Sequence, residues 1–181
     1  MDPMVRLPLG VVVERREIDN PWQSHTWRAV AVIPGAPAVD GWTMLLKGPR
    51  WIRYHAATLP VVLYRAETAA YLTNLSSDQP AIYVGLRDAA DGGEPGFEVA
   101  PFMVTASPFE AQDYLDSSEV VIERVPMPDG VVAWVQAFVD AHHVDKPFEK
   151  RKRKRLDPNE LGFGNRPGEA AGSRGTRAKR P

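Results

Sequence analysis

Four of the chain's five tryptophans, Trp22, Trp27, Trp42 and Trp51, fall in its first third, interleaved with Arg15, Arg16, Arg28, Lys47, Arg50 and Arg53. A guanidinium offers a planar fork of N–H donors to phosphate or carboxylate and also lies flat on aromatic rings. These two residue types together suit a flat, charged ligand: a nucleotide, a pterin or single-stranded nucleic acid. The candidate ligand-binding set is Arg15, Arg16, Trp22, Trp27, Arg28, Arg50, Trp51 and Arg53. The same residues have a plainer use, since tryptophan fills cores and arginine at strand ends faces water.

A second group of cations is denser. Lys150, Arg151, Lys152, Arg153, Lys154 and Arg155 follow one another without interruption. Such a block releases counterions from nucleic acid and binds it without sequence preference. It suits an acidic protein surface equally well. Only Phe148 and Phe163 flank it, fewer aromatics than base-stacking segments carry. The block is therefore a candidate electrostatic docking arm for an acidic protein partner, with nucleic acid as the alternative and a return onto the chain's own acidic region as the competing use.

Catalytic chemistry has less to draw on. Glu14, Glu67 and Glu110 are candidate carboxylates, but general acid–base work needs a paired group in a pocket, and spacing alone pairs none of them. The chain contains no G-x-S-x-G elbow, no G-x-x-x-x-G-K-[ST] loop and no G-x-G-x-x-G after a strand. Of the four histidines, His25, His55, His142 and His143, the last two are adjacent, so on a helix they diverge by about 100° and do not share an ion. No metal site and no catalytic residue is expected. With no cysteine, disulfides, iron–sulfur ligation and thiolate zinc sites are excluded.

The elements that must position these residues fit one domain of about residues 4–145, followed by a tail over 146–181. The 44% apolar content supplies a core, and no apolar run approaches the ~20 residues of a membrane helix. The opening MDPMVRLPLG lacks a long apolar stretch, so a cytoplasmic location is expected. The net charge of −1 conceals segregation: seven Lys/Arg against five Asp/Glu in 1–64, three against fourteen in 65–145, and twelve against four in 146–181. The tail is rich in glycine, proline, arginine and small residues and has little apolar area to offset the entropy of ordering it, so it is expected to be disordered.

Period-two patterning predicts strands over 9–16, 27–35, 41–48 and 51–65, as an antiparallel meander or small barrel. The segment 27–35 is apolar on both faces and reads as an inner strand, while Pro60 suggests that the last run is split or at an edge. A helix follows at 66–77, with Ala69, Leu72 and Leu75 as its apolar positions, then a strand at 80–88, a loop at 91–96 and a strand at 98–106 broken at Pro101. Ser107, Pro108 and Glu110 form a helix start with a capping box. A strand at 119–125 and a helix capped by Asp129, with Val131, Val135, Phe138 and His142 on one stripe, complete an α+β fold: a mostly antiparallel sheet with two or three helices. The expected core is Val11, Val13, Val30, Val32, Leu63, Ile82, Val84, Val104, Leu115, Ile122, Trp134 and Phe138.

Longer strings carry a resemblance. LPLGVVVERREIDNPWQSHTWRAVAVIPG, AETAAYLTNL, VTASPFEAQDYLDSSE, VPMPDGVVAWV and HHVDKPFEKRKRKR together resemble a bacterial domain family of unknown function over about residues 5–155. That family is encoded near formate dehydrogenase and other molybdoenzyme genes, and its members are often labelled molybdopterin-guanine dinucleotide biosynthesis proteins. The guanylyltransferase of that pathway opens with a strand and a glycine-rich loop carrying Ser and Arg-Met-Gly; LPLGVVVERREIDNPW has no such loop. The resemblance thus implies an accessory protein for molybdoenzyme maturation, with a molybdoenzyme subunit or maturation factor as partner and a molybdopterin-type cofactor as candidate ligand.

Overall fold

A computed structural model describes residues 4–89, 96–115 and 119–145. The sheet elements are β1 (Met4–Glu17), β2 (His25–Pro34), β3 (Thr43–Lys47), β4 (Trp51–Tyr64), β5 (Ala81–Asp88), β6 (Val99–Thr105) and β7 (Val120–Pro126). The helices are α1 (Thr68–Leu75, entered through a 3₁₀ turn over Arg65–Glu67), α2 (Pro108–Leu115) and α3 (Asp129–His142). The fold is α+β. The sequence-predicted tail over 146–181, the block Lys150–Arg155 and most of the loop at 91–96 lie outside the described residues.

The described residues form two antiparallel sheets, with strand orders β2-β1-β4-β3 and β6-β5-β7. The first is not a simple meander, because β4 returns between β1 and β3. The sheets meet along their open sides: β2 approaches β7, and β4 approaches β6. Leu59, Pro60, Val62 and Tyr64 line that second seam opposite Phe102, Met103 and Val104.

The segment expected to be an inner strand, β2, is outermost in its sheet's hydrogen-bonded order. Its apolar character on both faces reflects neighbours beyond the ladder, since β5 and β7 approach it. β4 is continuous through Pro60 and lies between β1 and β3. Pro60 stands opposite Pro8 on β1. Neither proline has an N–H to exchange, so the pair occupies a non-hydrogen-bonded register, with each ring on the outer side of the β1–β4 ribbon. There β3 has already ended against His55. Pro101 likewise leaves β6 continuous because β6 is an edge strand, and the register slips locally opposite Gly85 and Leu86.

The core joins the sheets to the helices. Leu9, Val11 and Val13 of β1, Val61 and Leu63 of β4, Ile82 and Val84 of β5, Tyr71 of α1, and Val131 and Val135 of α3 are all sealed from solvent. Each such aliphatic side chain contributes about 1.5–3 kcal/mol relative to exposure. Four expected core positions differ. Leu115, at the end of α2, is 60% exposed, and Val30, Ile122 and Trp134 are only partly buried.

The buried face of α1 is also not the expected one. Thr68, Ala70, Tyr71 and Asn74 are buried, while Ala69 and Leu72 are exposed. Asn74 explains the rotation. Its amide donates to the carbonyls of Ala81 and Ala106 at 2.7 and 2.8 Å and accepts from the Ala81 N–H at 3.0 Å, tying α1 to β5 and to the entry of α2. Ser107 caps α2 by accepting the Glu110 N–H at 3.2 Å, but its own N–H goes to Thr105 rather than to a capping-box Glu110. For α3 the cap residue is Pro128, and Asp129 is the first helical residue, where its charge still suits the positive end of the dipole. His142 is half-buried against Phe138, and Val139 takes the fourth buried position of the stripe.

Candidate functional site

The register of three strands sorts the first third of the chain into two faces. Along β1, Glu14 pairs with Arg28 of β2 and Arg53 of β4, and Arg16 pairs with Thr26 and Trp51. Alternation then places Glu14, Arg16, Thr26, Arg28, Trp51 and Arg53 on one face. Arg15, Trp27, Ile52 and Tyr54 stand on the other.

The first face forms a cleft of about 570 Å³ lined by Glu14, Arg16, Thr26, Arg28, Arg53 and, from β7, Arg124. Its centre is the Glu14 carboxylate, whose side chain is 7% exposed. Arg16 Nε donates to Glu14 Oε1 at 2.8 Å, and Arg53 Nε donates to Oε2 at 2.9 Å. Burial pushes the Glu14 carboxyl up, but the hydrogen bonds and charges of Arg53 and Arg16 outweigh it, so the group sits below its ordinary value. It is a weak base near neutrality and serves to hold two guanidiniums.

Arg28 makes a two-pronged bond to Glu123 of β7, both contacts at 3.2 Å, which closes the β2–β7 seam and raises the Arg28 pKa. Arg124 Nη2 donates to the Gln79 carbonyl at 2.7 Å. Arg53 also lies over the Trp51 ring, 4.8 Å from its centroid. Gly48 permits this arrangement, because a Cβ there would overlap the Trp51 ring.

The opposite face is apolar. Trp27, Trp42, Tyr54 and Phe97 form one aromatic cluster, with Trp42 stacked on Phe97 at 4.3 Å and Trp27 edge-on to Trp42 at 5.4 Å. Trp27 Nε1 donates to Glu98 at 3.1 Å, and His25 reaches the same carboxylate at 3.1 Å. Arg15 is beside this cluster, and its Nε is buried with no hydrogen-bond partner among the described residues.

Of the eight candidate residues, the cleft therefore unites Arg16, Arg28 and Arg53, with Trp51 beneath Arg53. Trp27 belongs to the aromatic cluster. Arg15, Arg50 and Trp51 border a separate shallow depression, where Arg50 pairs with Asp19 at 2.7 Å. Trp22, in the β1–β2 connection, is 93% exposed. Glu14 and Arg124 line the cleft but lie outside the eight-residue set. The i, i+2 spacing of Glu14 and Arg16 was the available signal for the former; for the latter, nothing in the sequence indicates that β7 reaches β2. Glu67, Glu110 and Asp113 gather elsewhere, with Ser107, in a cleft of about 340 Å³ between α1 and α2.

No curated protein and no solved structure matches the chain. A family model matches residues 8–152, a span that contains every residue of the arginine cleft and ends inside the Lys150–Arg155 block. The chain belongs to the family described as protein of unknown function DUF3305.

Proposed function

We propose that this protein is a non-catalytic cytoplasmic accessory protein supporting the maturation of a molybdoenzyme, formate dehydrogenase being the candidate. It acts through protein contacts and, at the arginine cleft, through contact with the pterin-type cofactor. The observation that carries this reading is the use made of Glu14: the one buried carboxylate of the cleft is bound side-on by two arginines and kept ionised, an arrangement for holding a ligand rather than for moving protons. The resemblance of the strings quoted above supplies the cellular process. Deleting the gene in a host that makes formate dehydrogenase, with molybdate supplied, is expected to lower the enzyme's activity severalfold, with restoration by the plasmid-borne gene. Unchanged activity would sink the proposal. The alternative, a nucleic-acid-associated protein, stands on Lys150–Arg155 alone; a mobility shift that weakens steeply between 50 and 200 mM salt, by roughly 10³-fold for six phosphate contacts, would favour it.

A further inference from the structure

We infer that the arginine cleft is a phosphate site, in which Arg16 and Arg53 present their terminal amino groups to a phosphate or phosphate-ester dianion while Glu14 fixes them from behind. The inference rests on the reading of this cleft as a ligand site, and it names the ligand's chemistry.

The geometry of the Glu14 contacts carries the argument. A carboxylate that took up a guanidinium's fork fully would accept two parallel N–H bonds from it, as Glu123 does from Arg28. Glu14 instead takes only the Nε of each arginine. Among the described residues, the terminal amino groups of Arg16 and Arg53 make no hydrogen bond. Each is thus oriented by Nε and left with four of the five N–H donors that a guanidinium carries. Arg53 is held a second time by the Trp51 ring. Two ordered, incompletely used guanidiniums on neighbouring strands are a preorganised pair, which reduces the ordering cost of binding.

Charge points the same way. Arg16, Arg28, Arg53 and Arg124 meet two carboxylates, Glu14 and Glu123, leaving the cleft cationic. Thr26 adds a hydroxyl at the wall. The volume, about 570 Å³, is that of a small-molecule site. A tetrahedral dianion with several acceptor oxygens satisfies forked donors from two directions, which a single carboxylate does less completely.

The test uses the full-length chain, calorimetric titration and two probes, inorganic phosphate and adenosine monophosphate, at low salt. Saturable binding is expected. R16Q and R53Q should each weaken it by roughly tenfold or more, the loss of a charge-assisted hydrogen-bonding group. R87Q, which removes an exposed cation on β5, should leave it unchanged. Equal affinity for the two probes assigns recognition to the phosphate alone; tighter adenosine monophosphate binding assigns it to an ester whose ring is also held.

Because Arg53 shields a buried carboxylate, R53Q can unfold the chain. The double variant E14Q/R53Q removes that charge and should fold, and it should bind as weakly as R53Q. A full-length variant with Lys150–Arg155 changed to glutamine should bind like the parent. The inference is overturned if neither probe binds saturably, if R16Q and the double variant bind like the parent, or if binding disappears with the Lys150–Arg155 change. Should both probes fail while gene deletion still lowers formate dehydrogenase activity, the accessory reading survives and the phosphate site does not.

Discussion

The two faces of the sheet at the β1–β2 turn end are opposite in character. One carries Glu14, Arg16, Arg28, Trp51 and Arg53, a charged network open to solvent. The other, one residue out of phase, carries Trp27 and Tyr54, closed by Trp42 and Phe97. In the linear sequence tryptophan and arginine alternate, which suggests rings and guanidiniums in one site. The pleat separates them. Among the described residues, only Trp51 of the four early tryptophans has an arginine over its ring, and the interleaving is mostly the signature of a strand with an apolar and an ionic face. The aromatic face should dominate stability and the ionic face should dominate ligand response.

The sharpest way to break that division is at Trp27. Its ring touches His25, Trp42, Tyr54 and Phe97 and packs against the main core. W27A should cost about 3 kcal/mol, from lost burial plus an incompletely collapsed cavity. Urea unfolding followed by circular dichroism measures this. If the loss were below about 1 kcal/mol, the aromatic cluster would be surface decoration and the asymmetry between the faces would vanish.

The ionic face should respond next, and with a specific dependence on pH. R53M leaves the Glu14 carboxylate buried with one partner fewer. The expected loss is about 2 kcal/mol, less than for a fully enclosed pair because Arg53 is itself over a third exposed. Adding E14Q should recover part of it, since no uncompensated charge remains. The same network sets a pH signature. Glu14 is held below its ordinary 4.5, so the folded state binds this proton less readily than the unfolded chain. Its contribution is complete above about pH 4.5 and disappears as pH falls through the lower folded value. E14Q should flatten the melting curve's acid dependence in that window and leave the neutral-to-basic limb parallel to the parent. Asp19, also lowered by its bond to Arg50 but fully exposed, provides the contrast: D19N should not change the acid limb measurably.

Much of this fold is legible in the sequence because the signals are local. The apolar run through Leu9 and Val11–Val13 marks β1, Ser107 with Pro108 marks the start of α2, and Val131, Val135 and Phe138 mark the inner stripe of α3. What local patterns miss are effects of neighbours distant in sequence. Ala69 and Leu72 look like part of the buried face of α1, but Asn74 must reach two β-carbonyls and a backbone N–H, and it turns the helix by that requirement. β2 reads as interior because β5 and β7 approach it from a second sheet. The cleft was half visible. Arg16, Arg28 and Arg53 are recognisable as a type, but their union depends on β4 inserting between β1 and β3, and Arg124 depends on the β2–β7 seam.

Trp22 gives the smallest expected effect and the finest discrimination. It has the residue type of the proposed site and the location of neither face: its ring is 93% exposed, and its backbone N–H donates to the Asn20 side chain at 2.8 Å. W22A removes no core contact and keeps that backbone bond, so stability should change by no more than about 0.5 kcal/mol. Spectroscopically the loss should be plain. Trp22 is the most exposed of the early tryptophans and should supply the red, readily quenched part of the emission, so W22A should shift the spectrum to the blue and reduce acrylamide quenching. Phosphate binding should be unaffected, because the loop residue is not among those lining the cleft. If W22A instead weakened binding of adenosine monophosphate while leaving inorganic phosphate unchanged, the loop would be contributing a ring-stacking surface. The site would then extend beyond the ionic face to the β1–β2 connection.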